Sequence, residues 1–327
     1  MPAGGRTADR ADSVMARADP APPQRPPRAR ATPRIRAHRI PTPDSKPYIA
    51  VEGPDGNLWF CESGAGKIGC FDPRTGRFRE FALPDARCTP VGIAAGADGH
   101  LWFTEKAGNR VGRISVAGAI AEFSVPTADA APDGIVLGPD GNIWFAEGEA
   151  DQLGRVTPEG RIEEFGGMTA GSRPLSLVVR DGALWFSQAG GNRVARMTPD
   201  GKFTEFPTPS ANSQPRAMAL HPDGSIWFVE TGANALGRIA RDGTIVEFGI
   251  PTANASARGV AITADGDVWF TENLANKIGR MDANGVVIAE YPLAVPASGA
   301  RCVTAMSDGR LLFTQYDANL IGEIVVE

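Results

Sequence analysis

Three places after each Trp of a recurring Trp-Phe pair, or after its equivalent, stands a carboxylate or an amide: Glu62, Glu105, Glu147, Gln188, Glu230, Glu272 and Gln315. A ring of carboxylates could serve general acid–base catalysis. Its regularity argues otherwise, because a residue present in every copy of a repeat builds the copy. These side chains are expected to fix the polar loop that follows, which often ends in Asn (Asn109, Asn192, Asn234, Asn276, Asn319). The repeated Gly-Arg pairs at Arg113, Arg155, Arg238 and Arg280 are read as structural for the same reason. The three histidines, His38, His100 and His221, form no Ser-His-Asp or Cys-His arrangement. Cys61, Cys70, Cys88 and Cys302 lack CxxC or other zinc spacing. Buried free thiols are expected, with Cys61 and Cys70, on adjacent strands, the one pair placed for a disulfide.

Function is expected where the copies differ, at the start of the first apolar run in each. Those positions hold Lys46 and Tyr48, Thr89 and Val91, Asp133, Arg173 and Leu175, Gln214 and Arg216, Arg258, and Arg301. Five are cationic: Lys46, Arg173, Arg216, Arg258 and Arg301. Gathered on one rim, they would favour an anionic ligand, and Arg in particular grips carboxylate or phosphate. The competing arrangement has these side chains splayed into solvent or paired with acids such as Asp133 and Glu52.

The elements that must position these residues follow from the repeat. Trp59, Trp102, Trp144, Trp185, Trp227 and Trp269 recur about every 42 residues, and Leu312-Phe313 marks a seventh copy. That period fits four short strands with their turns. Each copy has an apolar run and then a Gly-containing turn, most often Asp-Gly, as at Asp98-Gly99 and Asp265-Gly266, which suits a tight hairpin. A Trp-Phe strand, a polar loop, a "VGRI"-like strand, a second Gly turn and a strand ending in Glu-Phe or Glu-Tyr complete it. No segment has the 3.6-residue periodicity of a substantial helix. The fold class is all-β, a seven-bladed β-propeller with four-stranded blades. The last copy stops after three strands, and Ile35–Pro43 has the pattern of a fourth, so the N-terminal strand is expected to close the last blade and remove two sheet edges. The innermost strands would then line a central channel, whose mouth is the usual ligand site of such rings.

Composition sets further bounds. Of the 327 residues, 39 are Gly and 42% are hydrophobic, which suits one large, turn-rich domain over residues 35–327. Residues 1–34 are rich in Pro, Ala and Arg and are expected to be a disordered leader, with no signal-peptide apolar region and with Met15 as an alternative start. Residues 1–39 carry nine Arg against three Asp, a net of +6, so the rest carries −11 within a whole-chain charge of −5. An acidic body argues against nucleic-acid binding. No apolar run reaches the roughly 18 residues of a membrane span. A cytoplasmic monomer is expected.

The unit PxGI…DGxxWFTExxxNxIGRIxxxGxIxEFxxPTP resembles the streptogramin B lyase (virginiamycin B lyase) family. The match is closest over Ala264–Arg280, "ADGDVWFTENLANKIGR", and extends over all seven copies from about Ile35. The resemblance implies a seven-bladed propeller that opens a cyclic depsipeptide by elimination at its ester linkage, with Mg²⁺. It also implies active residues in segments resembling Pro-His-Ala-Ile and Glu-Pro-His-Gly-Ile in the last two blades. There, histidines serve the proton transfers and, with carboxylates, the metal. This chain reads Arg258-Gly259-Val260-Ala261-Ile262 and Arg301-Cys302-Val303-Thr304-Ala305, which sets Val260 and Val303 against the histidines and Arg301 against the Glu. A further acidic position of the family falls near Gln315-Tyr316-Asp317, and Tyr48, in "KPYIAVE", matches a mouth residue of the family. Valine neither moves a proton nor binds a metal. The expectation is a lyase-like propeller without the histidine pair, holding a small anionic molecule or cyclic peptide at its mouth. The alternatives are an active C–O lyase of cyclic lactones using Tyr48, the one case in which Mg²⁺ would enter, and a protein-interaction propeller.

Overall fold

The computed structural model describes residues 33–325, which form seven four-stranded antiparallel sheets and, among the described residues, no helix. In six blades the strands run outward in chain order. The inner strands are Pro47–Glu52, Pro90–Ala95, Pro132–Leu137, Pro174–Arg180, Pro215–Leu220, Ala257–Ile262 and Ala300–Ala305, for blades 1 to 7, and each lies against its counterpart in the neighbouring blades. Blade 7 is completed by Arg34–Arg39, which pairs antiparallel with Leu320–Val325 from Arg34 opposite Val325 to Arg39 opposite Leu320. The closing strand thus begins one residue earlier than its sequence pattern indicates. The leader expected over residues 1–34 lies outside the described residues except for Pro33 and Arg34. No helix of the described residues is long and apolar enough to cross a membrane.

The repeat explains itself in packing. Five of the six Trp side chains are almost wholly buried and Trp185 is 3% exposed; each packs with the Phe of the following blade's Trp-Phe pair or its equivalent, as Trp59 does with Phe103 and Trp269 with Phe313. Each Trp also stacks on the outer-strand aromatic of its own blade, Trp59 on Phe81 and Trp269 on Tyr291. Arg113, Arg155, Arg238 and Arg280 lie over the Trp rings. In six blades the third strand has glycine here, where a Cβ at Gly112 or Gly279 would stand 2.1 Å from the tip of the preceding strand's Phe ring; blade 4 carries Ala195 opposite Phe186 instead.

The loop-ending asparagines form the joints. Asn109, Asn192, Asn234, Asn276 and Asn319 all have φ between 52° and 60°, the left-handed region that Asn tolerates better than most residues. Their side chains lace the returning loop that delivers the next inner strand. Asn319 Nδ2 donates to the Thr42 carbonyl at 2.8 Å while its Oδ1 accepts from Ser45 N–H at 2.8 Å. Asn276 does the same with Val295 and Ser298.

The recurrent glutamates have a further partner besides the loop expected. Glu62, Glu105, Glu147, Glu230 and Glu272 are fully buried and lie within hydrogen-bonding reach of outer-strand Glu80, Glu122, Glu164, Glu247 and Glu290. Four of those outer carboxylates hold the returning loop, as Glu164 does by accepting from Thr127 N–H and Oγ1 at 2.8 and 3.0 Å. The glutamates are scaffold: Glu105 lies against Gly108 of the Asn-ended loop, and each also faces the outer-strand glutamate that borders the loop between blades. All four cysteines are buried and free.

Candidate functional site

Every inner strand carries the same irregularity at its mouth end. The antiparallel register shifts between Pro47 and Ala50, Pro90 and Ile93, Pro132 and Ile135, Pro174 and Leu177, Pro215 and Met218, Ala257 and Val260, and Ala300 and Val303. A bulge of this kind bends the strand and re-aims the residues within it. The residue two before each bulge is left-handed: Lys46, Thr89, Ala131, Arg173, Gln214 and Ser256 have φ between 49° and 53°, and Gly299 has φ 70°. Neighbouring loops hold that conformation, since the Lys46, Thr89, Arg173 and Gly299 carbonyls accept N–H groups from Ser63, Lys106, Ala189 and Tyr316.

Three tiers result. The left-handed residues form an outer rim. The first bulge residue of each blade, Tyr48, Val91, Asp133, Leu175, Arg216, Arg258 or Arg301, forms the inner mouth. The residue after the bulge is apolar in every blade (Ala50, Ile93, Ile135, Leu177, Met218, Val260, Val303) and is at most 9% exposed. Thr104 and Thr271 stitch the tiers together. Each hydroxyl accepts the N–H of the second bulge residue of its own blade, Gly92 or Gly259, and donates to the carbonyl of the next blade's mouth residue, Asp133 or Arg301. Thr314 does the same across the closure, from Cys302 N–H to the Tyr48 carbonyl at 2.7 Å. Sequence reading passed over these threonines. Their position two places after the Trp, or after Leu312, was the available signal.

The tiers separate the seven predicted site residues. Tyr48, Asp133, Arg216, Arg258 and Arg301 converge on one cavity of ≈ 130 Å³ at the centre of the ring. Lys46 and Arg173 belong to the rim and are already paired. Lys46 Nζ lies 3.1 Å from Asp44 and 3.5 Å from Asp317, while Arg173 lies 2.5 Å from Glu149. Lys46 is therefore no part of the central cavity, and Arg173 lines only an adjoining recess with Glu149 and Lys106. Asp133, 8% exposed, accepts from Lys106 Nζ at 2.8 Å. Burial works against the Lys106 ammonium, yet the Asp133 carboxylate outweighs it and raises the lysine's pKa.

The three arginines of the inner mouth have no ion pair of their own, although the Asp133 carboxylate lines the same cavity and its charge acts on Arg216. Among the described residues no hydrogen bond or ion pair reaches the guanidinium groups of Arg216, Arg258 or Arg301, and the Nε of each is buried and unpartnered. Arg301 is held by aromatic faces instead, 4.8 Å from the Tyr48 ring centroid and 4.2 Å from that of Tyr316. Burial is the largest influence lowering the pKa of Arg216 and Arg258. The charge of Arg301 adds to it in both, and for Arg258 the charge of Arg216 does as well. Like charges gathered on one cavity and partly removed from water repel one another, and Asp133 offsets this only in part at Arg216.

The same register corrects the placing of the family's histidines. Val260 and Val303 pair with Phe270 and Phe313 and pack in the cores between blades, 7% and 4% exposed, away from the mouth. A bulge cannot be counted from an apolar pattern, and reading through it displaces the correspondence by two residues. In Pro-His-Ala-Ile the apolar residue matches the tier below the bulge, so the residue after Pro corresponds to Arg258 in blade 6 and Arg301 in blade 7. The Glu of the second segment then corresponds to Gly299. Tyr48 occupies the same tier in blade 1.

Mg²⁺, which the resemblance implies, was tested against this donor set. Among the described residues no three His, Cys, Asp or Glu side chains gather as metal ligands. At the mouth the one central carboxylate, Asp133, is engaged by Lys106 and faces three guanidinium groups. A divalent cation does not fit there.

With the geometry in place, comparison with known proteins gives a consistent result. A sequence profile described as the Virginiamycin B lyase family matches residues 25–180 and 168–327. A streptogramin B lyase structure is 33% identical with a TM-score of 0.86, over 90% of this chain and 98% of that one. Virginiamycin B lyase from Staphylococcus aureus is 34% identical with a TM-score of 0.86, over 90% of this chain and 100% of that one. The same figures hold for a catalytically inactive histidine-to-alanine variant of the Staphylococcus aureus enzyme with quinupristin. Comparison with curated proteins found no match.

Proposed function

The chain belongs to the virginiamycin B lyase family, and we propose that within it this propeller is a divergent binder of a small anionic ligand, held at the channel mouth by Arg216, Arg258 and Arg301. One observation carries the reading: three half-buried guanidinium groups face a common cavity without a hydrogen bond or ion pair among the described residues, while the one carboxylate there, Asp133, is engaged by Lys106. A scaffold has no use for such an arrangement, and a carboxylate or phosphate would satisfy it with charge-assisted hydrogen bonds.

The lyase chemistry implied by the family needs a group that takes a proton at near-neutral pH. Arginine stays charged and donates only, so Arg258 and Arg301 at the histidine places cannot serve as bases. Tyr48 remains, but the guanidinium above its ring is a cation that would have to share the site with a metal.

The test is a titration of the whole protein with acetate and inorganic phosphate, each beside a neutral analogue, at two ionic strengths. The anions are expected to bind more tightly than the neutral compounds, and to weaken as salt is raised, because partly exposed charges are screened over about 8–10 Å at physiological ionic strength. Arg258→Ala and Arg301→Ala should each weaken anion binding about tenfold or more, as removal of a charge-assisted contact does. Equal binding of neutral and anionic compounds would overturn the reading. Quinupristin incubated with the protein and Mg²⁺ is expected to remain cyclic by mass spectrometry. Efficient ring opening would restore the lyase reading, with Tyr48→Phe the first variant to make.

A further inference from the structure

The cavity beneath the arginines is not polar. Its depth is set by the tier below the bulges, where Ile93, Ile135 and Leu177 are 4%, 9% and 6% exposed and Ile49 closes the side of blade 1. The second bulge residues of blades 2 and 3 are Gly92 and Gly134, and their lack of a side chain lets neighbouring inner strands close up around the cavity. A Cβ on Gly134 would stand 2.0 Å from the Leu175 carbonyl oxygen of the next blade, and one on Gly92 2.2 Å from that of Asp133. Blades 4 and 5 carry Ser176 and Ala217 at this level, which are also small. Cation and hydrocarbon are therefore stacked along one axis, with charge at the mouth and aliphatic side chains below.

We infer that the ligand is an amphipathic anion, its carboxylate or phosphate held by Arg216, Arg258 and Arg301 and an apolar group about the size of one benzene ring seated in the channel on Ile93, Ile135 and Leu177. The inference rests on the anion-binding reading above and narrows it to a substrate class. The whole cavity, arginine mouth included, is ≈ 130 Å³, so one benzene-sized group is the upper limit for its apolar part, given that an apolar protein cavity of roughly 150 Å³ accommodates benzene. A small inorganic anion would leave those aliphatic walls facing water, and a larger ring system would exceed the volume of the cavity. Tyr48 and Tyr316, which hold Arg301 between them, keep one guanidinium aimed at the boundary between the two zones.

Calorimetric titration of the native protein with acetate, benzoate and benzamide separates charge from apolar fit. Benzoate is expected to bind roughly tenfold or more tightly than acetate, the order expected for burying one phenyl-sized group. It should likewise exceed benzamide, which has the ring without the charge. Ala217→Leu, which enlarges a half-buried residue lining the cavity beside Arg216, should reduce the advantage of benzoate over acetate. The melting temperature of that variant reports whether it folds, and the three-ligand comparison on the native protein stands without it. Equal binding of acetate and benzoate, both above benzamide, would overturn this inference and leave the anion reading intact. Benzamide binding as tightly as benzoate would overturn both.

Discussion

Arg258 sits where its charge works against the stability of its own fold. Its guanidinium is half-buried, its Nε has no partner among the described residues, and its nearest charges of consequence are Arg216 and Arg301. In the absence of ligand, this arrangement incurs both desolvation and like-charge repulsion. Replacing Arg258 by Met keeps most of the side-chain volume and removes the charge. Arg258→Met is expected to stabilise the ligand-free protein by about 0.5–2 kcal/mol, the usual yield when a strained functional site is relaxed, and to raise the melting temperature by a few degrees. The gain should shrink as salt is added, because added ions already screen the repulsion. Scanning calorimetry of the two proteins at low and high ionic strength checks this. A lower melting temperature for the variant would mean that Arg258 is a structural residue whose partner is the fold itself. The same logic distinguishes Arg173, whose charge is met by Glu149 on the rim and whose removal should bring no such gain.

At the scale of the blade, a buried pair of carboxyl groups recurs between the second and fourth strands. Burial first, and then the charge of the facing glutamate, pushes Glu62 and Glu230 up to about 8. Burial and the facing glutamate likewise push Glu105, Glu147 and Glu272 up to about 7. Lys67, Arg110 and Lys277 also face three of these pairs and oppose the shift without cancelling it. Blade 4 supplies an internal control. There Gln188, which cannot ionise, donates to Glu205 at 2.9 Å, the bond a protonated glutamate would make. In the unfolded chain each glutamate titrates near 4.3. Between that value and the folded value the native state holds a proton that the unfolded state has released. The stabilisation is therefore complete below about pH 4.3 and is lost as pH rises through about 7 to 8. The melting temperature is expected to fall from pH 6 to pH 9, and Glu62→Gln with Glu230→Gln, copying blade 4, should flatten the fall. An unchanged slope in that double variant would remove these glutamates as the cause.

Those same elements show what a sequence reveals and what it hides. The blades were legible because their signals are local: Asp-Gly turns, Trp-Phe strands and third-strand glycines set against a neighbouring ring. The arginines of the inner mouth were legible as members of a repeat position. Their separation from Lys46 and Arg173 was not, because a bulge moves a side chain to another tier without altering the apolar pattern. The ion pairs from Arg173 to Glu149 and from Asp133 to Lys106 were hidden for a different reason. Each joins segments 24 and 27 residues apart, from successive blades, and only the packing of one blade on the next brings them together.

For the whole molecule, the weakest seam of the ring runs through the site. Blade 7 carries Arg301 and Tyr316, and blade 1 carries Tyr48. Blade 7 is built from both ends of the described residues, so its closure depends on Arg34–Arg39 pairing with Leu320–Val325 and on Asn319 lacing Ile40, Thr42 and Ser45, the segment that leads into blade 1. A protein beginning at Pro33 keeps all of these and is expected to melt as the full chain does. One beginning at Asp44 loses the closing strand, bares the edge of Leu320–Val325, and removes two of the carbonyls that Asn319 holds. Aggregation or a clearly lower melting temperature should follow, because an unpaired strand edge templates pairing with other chains. Asn319→Ala is the gentler version. The strand remains, but two buried carbonyls and the Ser45 N–H lose their partner, each such loss costing about 1–3 kcal/mol. Because Ser45 leads directly into Lys46 and Tyr48, this variant should also loosen the contact of Tyr48 with Arg301 and weaken anion binding, although Asn319 touches no ligand. Asn276→Ala makes the equivalent cut between blades 6 and 7, where the outer strand of blade 6 follows directly in the chain from its third strand, and should lower stability with less effect on the mouth. If the two asparagine variants lose stability and binding in equal proportion, the closure seam has no special place in the site.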